Sequence, residues 1–155
     1  MNKNTCLRWI MVGLLAVGGG VTAVAEFAEG DGSSEYPFQI ETAEHLNAVR
    51  NHLDAHFVQT ADIDLDVAPW NEGSGWVPIG TEDEPFIGTY DGNGLEVQGL
   101  FINRPAADYQ GLFGYAEGAR IENVGIAGFA ITAANRSGGL GWREGWREGS
   151  RLHIQ

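Results

Sequence analysis

His52 and His56 stand four residues apart, the spacing at which two imidazoles on one helical face can share a zinc ion. Leu53 follows His52 where the zinc-protease pattern requires glutamate, and no third ligand stands at a useful spacing, so the pair reads as a solvated helix face. Asp62, Asp64 and Asp66 alternate with Ile63 and Leu65. On a strand all three carboxylates then project from one face while the aliphatic side chains enter the core. Like charges held that close invite a cation, and calcium, which takes oxygen ligands, is the candidate cofactor. Counted from Asp62, the sixth position is Val67 where the calcium loop needs glycine, and the twelfth is Gly73 where it needs glutamate. The row admits calcium and does not demand it.

Asp91-Gly92-Asn93-Gly94 also offers oxygen atoms, but Asn and Asp beside Gly are first of all residues that tolerate positive φ, so this is read as a local hairpin or a tight corner. Trp70 and Trp76 bracket the loop 71–75, and Trp70 is the ring that could be presented to a sugar. The many glycines lack the P-loop pattern and its strand-to-helix setting. No acid, base and nucleophile fall into a credible set, so no catalytic residue is expected.

The elements that must carry these residues follow an export signal. Lys3 and Arg8 give a positive start, residues 9–24 are uncharged and mostly apolar, and Ala23-Val24-Ala25 is a small-x-small cleavage site. The apolar run falls short of the ~20 residues of a membrane span and is interrupted by Gly18-Gly19-Gly20, so residues 1–25 are read as a cleaved signal peptide and the product as secreted or cell-surface, with no membrane contact after cleavage. Cys6 lies ahead of the apolar run, so the mature chain has no cysteine and neither disulfides nor thiolate-bound metals can hold it. It retains seven Arg and no Lys against 21 acids, a net charge of −14. Such a surface repels nucleic acid and anionic lipid and favours solubility.

Residues 26–35, rich in Glu, Gly and Ser, read as a flexible leader. Across residues 42–56, Leu46, Val49 and Leu53 recur at helical spacing, with Thr42 as N-cap and Glu44 in the first turn. Downstream come short bursts of apolar and β-branched residues separated by glycines, none long enough for a helix. Val97-Gln98-Gly99-Leu100-Phe101-Ile102 overlays Ile121-Glu122-Asn123-Val124-Gly125-Ile126 with a shift of 24, and Gly111-Leu112 recurs 28 residues on as Gly139-Leu140. A period in the twenties without helices between predicts stacked turns of a coiled sheet.

Phe38-Gln39-Ile40, Thr42-Ala43-Glu44-His45-Leu46, Ala61-Asp62-Ile63-Asp64-Leu65, Trp76-Val77-Pro78-Ile79-Gly80, Phe86-Ile87-Gly88-Thr89-Tyr90, Gly111-Leu112-Phe113-Gly114 and Ile121-Glu122-Asn123-Val124-Gly125-Ile126 occur in that order. Together they resemble the GLUG-motif surface proteins of bacteria, across residues 36–141. The resemblance implies an exported, adhesin-like protein folded as a right-handed parallel β-helix. A related repeat region accompanies an immunoglobulin-A-cleaving metalloprotease, whose catalytic domain lies outside the repeats. In that family the Trp-x-Pro-Ile-Gly tryptophan is a framework element, which implies that Trp76 packs. Gly138-Gly139-Leu140-Gly141 is followed not by further coils but by Trp142-Arg143-Glu144-Gly145 and its exact duplicate Trp146-Arg147-Glu148-Gly149. Residues 142–155 are therefore read as an atypical tail, truncated or frameshifted.

The fold class expected is all-β: a short right-handed β-solenoid with an N-terminal capping helix and no equivalent cap after Gly141, which invites edge-to-edge self-association. The expected function is a non-catalytic exported module for adhesion or carbohydrate contact, its partner a cell-surface carbohydrate or protein. Two alternatives stand beside it: a fragment of a larger adhesin without independent function, and a polysaccharide-degrading enzyme. The enzyme would use Asp108 and Glu117, the acids nearest to Arg104 and Arg120. Mass spectrometry of exported protein is expected to find Glu26 at the N-terminus; a secreted chain retaining Met1 would overturn the cleavage reading.

Overall fold

The computed structural model describes residues 26–140 together with the strand residues 142–144 and 153–154, so the signal peptide lies outside the described residues. The elements are β1 (Phe38–Ile40), α1 (Ala43–Ala48) continued by a 3-10 turn (Val49–Asn51), β2 (His56–Gln59), β3 (Ile63–Asp64), β4 (Thr89–Asp91), β5 (Glu96–Gln98), β6 (Phe101–Arg104), β7 (Tyr115–Glu117), β8 (Arg120–Glu122), β9 (Gly125–Ala127), β10 (Ala130–Ala133), β11 (Trp142–Glu144) and β12 (His153–Ile154). Among the described residues the regular structure is thus mostly short strands, with one short α-helix. Among the described residues every pair of these strands is parallel, in the orders β1-β2-β4-β8, β3-β5-β9-β12, β6-β10 and β7-β11, and one isolated antiparallel bridge joins Gly75 to Ile102. β1 and β2 pair within one sheet; from β2 onward consecutive strands belong to different sheets, and from β4 to β11 the chain visits the four sheets in turn, twice.

Side-chain alternation decides what each strand buries. In the first sheet Phe57 pairs with Tyr90 and Tyr90 with Ile121, all three buried. In the second, Ile63, Val97 and Ile126 pair in a row and are equally buried, while Ile102 pairs with Ile131 in the third. A β-branched or aromatic side chain facing its counterpart on the next strand stabilises the sheet and removes apolar area from water. Buried Gln59 is the polar exception. Its amide donates to the carbonyls of Ala61 at 2.9 Å and Glu96 at 3.0 Å, and its oxygen accepts from the Tyr90 hydroxyl at 3.2 Å, so the polar groups of this side chain are satisfied.

The turns explain why strands stay short. After β4, Asp91 accepts the Asn93 N–H at 2.9 Å, and Asn93 (φ 54°) and Gly94 (φ 75°) swing the chain onto the second sheet. Asn123 (φ 54°) makes the same corner after β8, and its amide donates to Asp91 at 2.9 Å. Gly92 lies against this second corner, where a Cβ would come within 2.5 Å of the Asn123 carbonyl. The Asp91 segment is therefore a corner between sheets, not a hairpin.

Three expectations need correction. The helix anticipated over 42–56 has its Thr42 cap, which accepts the His45 N–H at 3.2 Å, but its last turn is 3-10 and ends at Asn51. The Leu53 carbonyl accepts from Ile87 and Gly88, and that of Ala55 from Thr89, so these groups serve a neighbouring pass of the chain and leave none for a helix.

The stretch 26–35, read as a flexible leader, docks on β1 through Phe27, Ala28 and Glu29, although six of its ten residues are exposed. The Phe27 ring stacks on Phe38 with centroids 4.2 Å apart, and Ala28 and Glu29 exchange backbone hydrogen bonds with Gln39 along the outer edge of β1. The shift of 24 is not the stacking register, because Val97 lies on Ile126 and Ile121 lies on Tyr90. Both overlaid segments cross a corner, with an inward residue before it, one within it and one after it, so the match compares corners of different sheets. The 28-residue pair does stack, with Leu112 N–H bonded to Gly139 and Phe113 N–H to Leu140. Within the segment read as an atypical tail, the described residues form β11 and β12, which extend two of the sheets.

Phe27→Ala is expected to destabilise residues 26–155 by about 3 kcal/mol in urea unfolding, since it removes a buried ring from a packed site; an unchanged midpoint would mean that the leader is not docked. Burial pushes the Tyr90 hydroxyl well above the ordinary phenol range. Below about pH 10 the phenol is neutral in folded and unfolded chains alike; above it only the unfolded chain releases the proton, so stability falls as pH rises. Tyr90→Phe is expected to lose ~1–3 kcal/mol at neutral pH through the orphaned Gln59 oxygen. Its urea midpoint should also decline less steeply at alkaline pH than that of the parent chain.

Candidate functional site

Ile63 and Leu65 are buried and Asp62, Asp64 and Asp66 exposed, as the alternation requires. The three carboxylates do not converge. Asp62 Oδ1 accepts the Glu96 N–H at 2.9 Å, Asp64 Oδ1 accepts the Asp66 N–H at 2.8 Å, and Asp66 Oδ1 accepts from the Asn71 amide at 3.3 Å. Their oxygens hold a neighbouring strand, a turn and a loop, because the chain bends away after Asp64 where β3 ends. Among the described residues no group of three or more His, Cys, Asp or Glu side chains could hold a metal ion. Asp62, Asp64 and Asp66, the candidate calcium row, are thus each committed to a separate hydrogen bond.

Trp70 is half-buried and packed against the core instead of standing free in its loop, and its backbone N–H donates to the Val67 carbonyl. Trp76 is fully buried, with Nε1 donating to the Leu112 carbonyl at 3.0 Å. The Arg50 guanidinium lies 5.3 Å from the Trp76 ring centroid and donates to the Val77 carbonyl at 2.8 Å. His52 and His56 do not share a helical face, since His56 opens β2. His52 lies 3.1 Å from the Glu26 carboxylate and edge-on to Phe27. Hydrogen bonds from Asn51 and then His52 hold the Glu26 carboxyl below its usual range.

The residues of the enzyme alternative are distributed as well. Arg104 ends β6 and Arg120 begins β8, in different sheets, and Arg120 is paired with Glu122 at 2.9 Å. Asp108 Oδ1 accepts the Asn135 N–H at 3.0 Å.

A surface cluster that sequence reading missed lies beside Asp108. Tyr109 donates its hydroxyl to Glu82 at 2.9 Å and accepts from Arg136 Nη1 at 2.6 Å. The Arg136 guanidinium carbon is 5.2 Å from the Tyr109 ring centroid, and Tyr115 meets that ring edge-on at 5.5 Å. Tyr109 (φ 55°) and Arg136 (φ 50°) both adopt the left-handed conformation, and the Tyr109 N–H bonds the Asn135 carbonyl, which stacks one turn on the other. Bulky residues rarely occupy that conformation, and such positions gather at sites of function. Loss of surrounding water, then the bond to Glu82, holds the Tyr109 hydroxyl above its usual range. The available signal was spacing: Glu82, Tyr109 and Arg136 recur every 27 residues, close to the interval of the Gly-Leu pairs.

No protein-family model matches the chain, and no solved structure matches it. Two longer proteins do. A protein of Evansella cellulosilytica described as a Gly-rich membrane protein is 44% identical over 109 residues, 68% of this chain and 13% of that protein. Halomucin of Haloquadratum walsbyi is 36% identical over 127 residues, 76% of this chain and 1% of that protein. The chain therefore spans a small part of either relative. No described helix is long and apolar enough to cross a membrane.

Calcium at millimolar concentration is expected to leave the thermal midpoint of residues 26–155 unchanged. A saturable rise that disappears in Asp64→Asn would restore the aspartate row as an ion site.

Proposed function

We propose that this chain is a non-catalytic surface or secreted module, a short right-handed parallel β-solenoid of the GLUG-motif type that contacts carbohydrate or protein. The observation that carries the reading is the in-register parallel return of the chain to each sheet, as in Phe57, Tyr90 and Ile121, which frees the outward side chains for contact. The names of the two relatives, a Gly-rich membrane protein and a halomucin, fit a surface or extracellular protein better than an enzyme. The ridge of Glu82, Tyr109 and Arg136 supplies a carboxylate, a phenol and a guanidinium side by side, groups that hydrogen-bond sugar hydroxyls while an aromatic edge covers the ring. The small share of each relative that matches favours a second reading: the unit works as one segment of a longer array.

Immobilised polysaccharides and host-surface glycoproteins incubated with residues 26–155 are expected to retain the protein and to remain uncut. Tyr109→Ala or Arg136→Ala should weaken retention about tenfold, the loss of one or two good polar contacts. Turnover that vanishes on replacing Asp108 or Glu117 would overturn the reading in favour of the enzyme.

A further inference from the structure

Asn135-Arg136-Ser137 is the one place in the chain where asparagine is followed, after a residue other than proline, by serine or threonine. That spacing is the acceptor signal for N-linked glycosylation, because the hydroxyl two residues on must reach the asparagine amide while a transferase holds both. All three residues are exposed, on the loop that follows β10.

We propose that Asn135 is the acceptor of an N-linked glycan. Its backbone, not its side chain, does the structural work of the loop: the Asn135 N–H donates to Asp108 at 3.0 Å and its carbonyl accepts from Tyr109. The side-chain amide touches the same Asp108 oxygen only at 3.4 Å. An amide nitrogen carries two hydrogens, so one can be replaced by a sugar while the other keeps that contact. Arg136, in the left-handed conformation, turns the chain sharply between Asn135 and Ser137 and leaves both side chains outside the sheets.

The donor is a lipid-linked oligosaccharide diphosphate. Asn135 Nδ2 forms a bond to C1 of the first sugar, the bond from C1 to the diphosphate oxygen breaks, the lipid diphosphate leaves with the electron pair, and Nδ2 gives up one proton. Nothing is oxidised or reduced. The glycan would project beside Tyr109 and Arg136, adding saccharide to the ridge proposed for contact.

The proposal rests on the export reading, because transfer occurs on the far side of the membrane, and the test separates the two. The full chain, once with its own first 25 residues and once with those replaced by a proven export signal, is translated into membrane vesicles that carry an oligosaccharyltransferase and its lipid-linked donor. Protease protection reports translocation, and peptide mass spectrometry reports occupancy of Asn135. The expected result is one glycan on the translocated chain, lost completely in Asn135→Gln and Ser137→Ala and kept in Ser137→Thr. A chain that enters only with the substituted signal would sink the export reading while glycosylation stands. A translocated, protected chain with bare Asn135, or a glycan that survives Ser137→Ala, would overturn the proposal.

Discussion

Parallel pairing in register is the constraint on which the rest of the structure depends. When a strand lies on an equivalent strand of the next pass, each inward side chain faces a counterpart in the same plane, so one unsuitable residue disturbs two rungs. The row of Phe57, Tyr90 and Ile121 and the row of Ile63, Val97 and Ile126 meet that demand with aromatic and β-branched side chains. Strands this short hold together only because several sheets share one apolar interior, to which Trp76, Leu100 and Phe113 also belong.

Turning between sheets imposes a second demand. The chain must reverse its local twist within two or three residues, and the left-handed conformation does this at Asn93 and Asn123, residues that tolerate it. Tyr109 and Arg136 do so without that tolerance, and their conformation is held by stacked turns and by the bonds that join Glu82, Tyr109 and Arg136. Where the fold is over-determined by its neighbours, residue types less suited to the backbone survive, and here those residues carry the most distinctive surface chemistry.

Sheet edges set the third demand, since unpaired backbone groups in water are templates for association. The outer edge of β1 is covered by the leader, anchored by the Phe27 ring on Phe38. At the other end β11 and β12 pair with β7 and β9, while β8 and β10 are the outermost strands of their sheets among the described residues. Acidic side chains do structural work in the same economy: Asp62 binds Glu96 of β5, and Asp91 joins two successive corners. A row of acids that looks like an ion site along the sequence becomes a set of separate ties in space.

The amino-acid sequence by itself determined which residues face inward, because alternation in a strand is a property of the backbone: Ile63 and Leu65 are buried and their aspartate neighbours are not. It also determined the Thr42 cap, a contact within one turn. It left open which segments stack, since a corner of one sheet carries the same apolar spacing as a corner of another. Only the tertiary structure put Val97 on Ile126 and not near Ile121. Only it ended the helix at Asn51, where a neighbouring pass claims the Leu53 and Ala55 carbonyls, and folded Phe27 onto Phe38. Glu82, Tyr109 and Arg136 carry a 27-residue spacing in the sequence, but only the tertiary structure joins them by hydrogen bonds across passes. Local preference is written in the order of residues, whereas the competition for backbone partners between distant segments is resolved only when they meet.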